Sequence, residues 1–90
     1  MPKRTSAAHL AALAVDPKSP EPLYRQIYFA IREAILDGRL APGQRLPATR
    51  TLARDLGLSR NTVVTAFEQL HAEGYVEGRT GAGSYVSTIL

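Results

Sequence analysis

The chain has 90 residues, 44% of them apolar, which is enough for one domain with one small core and too many for a disordered segment. It has no cysteine, which excludes disulfide staples and thiolate metal sites and fits a reducing, cytoplasmic setting. The formal net charge is +3 and unevenly placed: from Arg39 to Thr62, five arginines (Arg39, Arg45, Arg50, Arg54, Arg60) face one acid, Asp55. That stretch suits either a polyanionic partner or a solvated charged face.

Residues 1–20 read as a leader. Two basic residues, Lys3 and Arg4, precede an alanine-rich run in the manner of a signal peptide. His9 interrupts that run and its hydrophobicity is weak, so a tail or a short docking element is expected instead. No segment approaches the roughly 18–20 apolar residues that a membrane helix needs. The turn formers Asp16-Pro-Lys-Ser-Pro20 then separate the leader from a folded part at 21–88.

Pro22 suits the first turn of a helix. Leu23, Ile27, Ile31 and Ile35 recur every four residues, with Tyr24, Tyr28 and Ala34 beside them. They form one apolar stripe on a helix that Gly38 ends. The two tyrosines suit core or dimer packing. Ala41-Pro-Gly43 is a turn, and Gln44-Arg-Leu46 has room only for a very short strand before Pro47. A second helix starts at Ala48 or Thr49 and turns Leu52, Ala53 and Leu56 inward. Gly57 ends it, and Leu58 plugs the corner. Ser59 is an N-cap for a third helix with an inward stripe of Val63, Ala66, Phe67 and Leu70, ending near Gly74. Two β-like runs, 75–79 and 84–87, then flank Thr80-Gly-Ala-Gly83 and make a hairpin.

The fold class is therefore mainly α with a small β part. It is a winged helix-turn-helix: three helices plus a two-stranded hairpin wing, with the helix-turn-helix at about 49–68 and the wing at about 75–87. The start of the third helix carries Ser59, Arg60, Asn61 and Thr62, hydrogen-bonding side chains suited to an anion, and DNA is the large anion that fits. With the stripe facing inward, residues 60, 61 and 64 lie off that face near the helix start. Arg60 matches the two acceptors of guanine and Asn61 can pair with adenine. Val64 either touches a thymine methyl or packs. Ser59, Thr62 and the first free N–H groups suit phosphate, and Arg50 suits phosphate or base. Thr80 and Gly81 at the wing tip leave the backbone free to approach a groove. Arg54 either pairs with a carboxylate or solvates its face.

Several separated segments resemble one known domain. They are Pro22-Leu-Tyr-Arg-Gln-Ile27, Gly38-Arg-Leu-Ala-Pro-Gly43, Leu46-Pro47, Arg50-Thr-Leu-Ala53, Gly57-Leu-Ser-Arg-Asn-Thr-Val63 and Glu73-Gly-Tyr75. Together they resemble the winged-helix DNA-binding domain of GntR-family bacterial transcription regulators, with the spacing intact over residues 21–88. The wording around Ile27 and Asn61 looks most like the MocR subgroup, in which this domain is fused to an aminotransferase-like module that binds pyridoxal phosphate.

The resemblance implies DNA contacts at Arg50, at Ser59, Arg60, Asn61, Thr62 and Val64, and at Thr80 and Gly81. It implies a double-stranded DNA operator as partner, and a homodimer formed through a C-terminal domain absent here. Two positions depart from the family pattern. Val64 stands where some members have arginine, and Ala48 stands where many have a capping serine.

No nucleophile–base constellation is apparent around His9 or His71, so no catalysis is expected. Lys3 and Lys18 are poor candidates for a Schiff base, so no cofactor is expected in this chain; the MocR resemblance implies pyridoxal phosphate only for a C-terminal domain outside these 90 residues. No metal site is expected either. The competing reading is a winged helix used for protein contacts without DNA readout.

Overall fold

The structure, a computed structural model, describes residues 15–79 and 83–89, and the backbone alone at residue 79. Its elements follow the order helix α1 (Leu23–Leu36), helix α2 (Thr49–Leu56), helix α3 (Arg60–Ala72), strand β1 (Val76–Arg79) and strand β2 (Gly83–Val86). The wing tip residues Thr80 and Gly81 lie outside the described residues.

The apolar stripes explain the packing. Ile27, Ile31 and Ile35 of α1 are buried with Tyr28 and Ala34, while Leu23 and Tyr24 are half-buried at the open end of the helix. From α3, Val63, Ala66, Phe67 and Leu70 are all buried. Leu52 and Ala53 of α2 are buried, and Leu56 and Leu58 pack half-buried at their edge. Helix α3 is thus the centre of the domain, packed against α1, α2 and β1. Each of these larger side chains contributes about 1.5–3 kcal/mol by leaving water, so the face that is not buried is free to vary.

Helix α1 begins one residue later than a proline at the first helical position would place it. Pro22 is the N-cap, and its carbonyl accepts from the Arg25 and Gln26 N–H groups at 3.0 and 3.1 Å. The turn before α1, expected to set a leader apart, is fastened to the helix by Gln26. Its amide donates to the Asp16 and Glu21 carbonyls at 3.0 and 2.8 Å, and its Oε1 accepts from the Asp16 N–H at 2.7 Å. Val15 packs against the core just ahead of this clamp.

Between α2 and α3, Gly57 takes φ +69, a left-handed conformation that costs a residue with a side chain roughly 1–2 kcal/mol. The Leu58 N–H then reaches back to the Ala53 carbonyl at 2.9 Å. This closes the α2 terminus and turns the chain sharply into α3. Ser59 caps α3 with its Oγ accepting from the Thr62 N–H at 3.2 Å.

Ala48, at the N-cap of α2, has the extended backbone of a cap (ψ 144) and no side-chain oxygen to act as one. Helix α2 thus starts without a side-chain cap. Ala48→Ser is therefore expected to stabilise the domain by about 1 kcal/mol and raise Tm by roughly 4–8 °C. Calorimetry on the two proteins checks this, and an unmoved Tm would mean that the first-turn N–H groups of α2 are already satisfied.

The hairpin pairs antiparallel in the register Val76↔Val86, Glu77↔Tyr85, Gly78↔Ser84 and Arg79↔Gly83. The short segment 44–46 lies against β2 of this two-stranded sheet through the isolated antiparallel bridge Arg45↔Tyr85. The Leu46 N–H donates to the Ser84 carbonyl at 2.8 Å and the Val86 N–H to the Gln44 carbonyl at 2.9 Å. The wing is thus sewn to the segment that leads into α2. His71 of α3 ties it from the other side: its Nε2 is hydrogen-bonded to Ser84 Oγ at 3.3 Å, and its ring lies over Gly78.

A polar tie joins α1 to the end of α3. The Tyr28 hydroxyl donates to the Glu73 carboxylate, which also accepts from Gln69 Nε2 at 3.1 Å. The Tyr28 hydroxyl, then the Gln69 amide, hold the Glu73 carboxyl below the usual carboxylate range. The same bond, followed by burial, raises the Tyr28 phenol. A carboxyl lowered by folding stabilises the fold above its unfolded pKa and ceases to do so as pH falls through the folded value. A phenol raised by folding stabilises below its ordinary pKa, and that stabilisation is lost in strong alkali. Tyr28→Phe should accordingly melt below the wild type at neutral pH, with the gap closing on acidification below about pH 4. Melting curves across that range test it; a gap that stays constant into acid would mean that Tyr28 acts through packing alone.

Candidate nucleic-acid interface

Helix α3 presents two distinct ends. Arg60 and Asn61 are its first two residues, both exposed, and no acidic residue lies in its first turn. Ser59 is exposed, yet its Oγ serves the cap and is also bonded to Thr62 Oγ1 at 2.8 Å. Ser59 and Thr62 therefore order the helix start, and Thr62 is half-buried in doing so. Val64 is half-buried at the margin of the core stripe, so part of its side chain faces out. Arg50, exposed in the first turn of α2, has no capping side chain before it.

The arginines divide by their partners. Arg39 is held by Asp37, with Nε at 2.8 and 3.0 Å from the two carboxylate oxygens. The Arg39 guanidinium and backbone N–H hold the Asp37 carboxyl below the usual range. Arg25 pairs with Glu21 at 2.9 Å, and Arg54 lies 3.8 Å from Asp55. Among the described residues, no carboxylate lies within ion-pair distance of Arg50 or Arg60. Of the five arginines of the cationic stretch, Arg39 and Arg54 thus lie beside a carboxylate, Arg50 and Arg60 do not, and Arg45 lies at the hairpin, beside Gly83.

One residue escaped the sequence reading. Thr65 is exposed one turn beyond Asn61 on the same face, where a hydroxyl can reach a base or phosphate. The i, i+4 spacing from Asn61 was the available signal. Glu68, also exposed, brings negative charge one turn further on and marks where a polyanion would cease to be welcome. His71 serves the wing contact already described. No group of His, Asp or Glu among the described residues could hold a metal ion. No helix of the described residues is long and apolar enough to cross a membrane.

Comparison with known proteins places this geometry in a wider set. The gntR family of bacterial regulatory proteins matches residues 23–86. The probable rhizopine catabolism regulatory protein MocR of Rhizobium meliloti is 48% identical over 77 residues, which are 86% of this chain and 16% of MocR. The chain thus spans only a small part of that relative's length. Among solved structures, YtrA from Sulfolobus acidocaldarius, a GntR-family transcription factor, superposes with a TM-score of 0.81 at 35% identity, over 87% of this chain and 82% of that one. AraR(DBD), solved in complex with operator ORX1, superposes with a TM-score of 0.74 at 29% identity, over 83% of this chain and 96% of that one.

Proposed function

We propose, from the premise that this chain belongs to the gntR family of bacterial regulatory proteins and is a DNA-binding domain of that family, that helix α3 enters the major groove of an operator and that its first two residues read base edges. The observation that carries this reading is the exposed, acid-free start of α3, where Arg60 and Asn61 have no internal task. Arg60 is assigned to guanine and Asn61 to adenine, with Val64 against a thymine methyl. Ser59 and Thr62 hold the helix start, so that the first-turn N–H groups meet a phosphate. Arg50 approaches the backbone from α2, and Thr80 and Gly81 bring the wing tip to the backbone or the minor groove.

One domain of this size reads only a few base pairs, so two copies acting on two half-sites are needed for useful specificity. In a MocR-type protein we place that pairing in a C-terminal domain, together with any pyridoxal phosphate. Lys18, the one lysine among the described residues, stands exposed on the turn before α1, which supports placing that cofactor outside this domain. We assign no catalytic step to this chain.

The test is a titration of the 90-residue protein with duplexes selected by it from a random library, repeated over a series of salt concentrations. Affinity should fall steeply with salt, with a logarithmic slope of about −0.9 per phosphate contacted. Failure to bind any duplex, or salt-insensitive binding, would favour a protein-interaction module instead.

A further inference from the structure

The wing tip residues assigned to DNA, Thr80 and Gly81, are both neutral. The structure brings a charged side chain to the root of that tip from elsewhere in the chain. Residues 44–46 run antiparallel to β2, so this segment heads toward the tip before Pro47 and α2. Arg45 faces Tyr85 across the bridge, and the flanking bonds, Leu46 N–H to Ser84 and Val86 N–H to Gln44, make this a non-hydrogen-bonded pair with side chains close on one face. Val86 is buried and Ser84 meets His71, so the Arg45–Tyr85 face is the outer one.

The exposed Arg45 side chain extends along this face toward the tip. Its Nε and Nη2 lie 3.7 and 3.8 Å from where a Cβ on Gly83 would sit. Gly83 has φ +92, so the residue beneath the guanidinium is one that a side chain would strain. The register partner of Gly83 is Arg79, a second arginine position at the same level of the hairpin. The acid of the sheet, Glu77, is the register partner of Tyr85 on β1, and its Oε2 accepts from Ser87 Oγ at 3.2 Å and the Thr88 N–H at 3.4 Å.

We propose that Arg45 is a further DNA-binding residue, a phosphate contact at the root of the wing, laid over Gly83 and positioned by its bridge to Tyr85. This rests on the DNA-binding reading above. It supplies the wing with the charge that its tip lacks and places it on the segment that carries Arg50 five residues later. A fork of permanent charge suits a phosphate oxygen pair.

The experiment compares wild type, Arg45→Ala, Arg45→Lys and Arg60→Ala in the 90-residue protein, with Arg39→Ala as a charge-matched control already paired with Asp37. Each is titrated with a library-selected duplex and with a mixed-sequence duplex over several salt concentrations, after melting curves establish that it is folded. Arg45→Ala should weaken both duplexes alike, roughly tenfold, and reduce the salt slope by about one, with Lys restoring most of the slope. Arg39→Ala should change neither. Unchanged affinity and slope in Arg45→Ala, while Arg60→Ala still loses affinity, would overturn the Arg45 contact and leave the DNA reading intact. A loss of affinity with unchanged slope that Lys does not rescue would also overturn it, by making Arg45 a brace of the wing. Absence of binding by the wild type would instead overturn the DNA reading.

Discussion

Arg60→Ala is expected to weaken binding to the selected duplex by about 1–3 kcal/mol, roughly fivefold to 150-fold, and to relax preference at a single base pair. The size follows from geometry. Arg60 is the first residue of α3, exposed and without a carboxylate among the described residues, so its guanidinium has no internal bond to give up when DNA arrives. The helix start does not depend on it either, because Ser59 and Thr62 supply the cap. The variant should therefore melt within about 0.5 kcal/mol of the wild type, which separates lost recognition from lost folding. Arg60→Lys keeps the charge but not the two-pronged fit to guanine, so it should recover non-specific affinity and not specificity. Binding to selected and mixed-sequence duplexes checks both statements. An Arg60→Ala protein that still prefers its selected duplex by the wild-type margin would show that α3 is turned differently in the groove. Arg50→Ala is the useful contrast, since a phosphate contact lowers affinity for every sequence together with the salt slope.

How much of this was legible in the sequence depended on the range of the interactions. The inward stripe Val63, Ala66, Phe67 and Leu70 is a local period, and all four are buried. The Ser59 cap and the Gly57 turn are likewise set by neighbours within a few residues. What local patterns could not contain were pairings across the chain. Arg45 meets Tyr85 forty residues later, Tyr28 meets Glu73, and Gln26 clamps the turn at Asp16. Each involves residues whose types permit many partners, so only the fold selects one. The same limit applied to the interface. Five arginines read as one cationic stretch, but Asp37 engages Arg39 and Asp55 lies near Arg54, which leaves a smaller and more directed set. Thr65 went unread because Thr is an unremarkable surface residue until the roll of α3 places it on the Asn61 face.

The second large effect is structural and tests whether α3 is presented by its packing. Phe67→Ala is expected to cost about 3–5 kcal/mol, the range for emptying a buried aromatic site. Phe67 is 3% exposed and sits on the helix that packs against α1, α2 and β1, so no single neighbour can close over the gap. A domain of this length has roughly 5–10 kcal/mol of stability in all, so the substitution removes a large fraction of it. Tm should fall by on the order of 20 °C, and thermal or urea unfolding measures it. Phe67 does not face DNA, so at a temperature where the variant is still folded its salt slope should match the wild type, because the same phosphates are contacted. Affinity should nonetheless decline, since a loosened α3 holds Arg60 and Asn61 less firmly against their bases and must be ordered on binding. Phe67→Leu, which fills most of the space, should restore much of both stability and affinity. If Phe67→Ala melted only a few degrees lower, the site would be able to collapse. If affinity per folded molecule stayed at the wild-type level despite the lost stability, the reading surface would be set by the Ser59 cap and the turn at Gly57 alone, and the core beneath α3 would serve folding without tuning recognition.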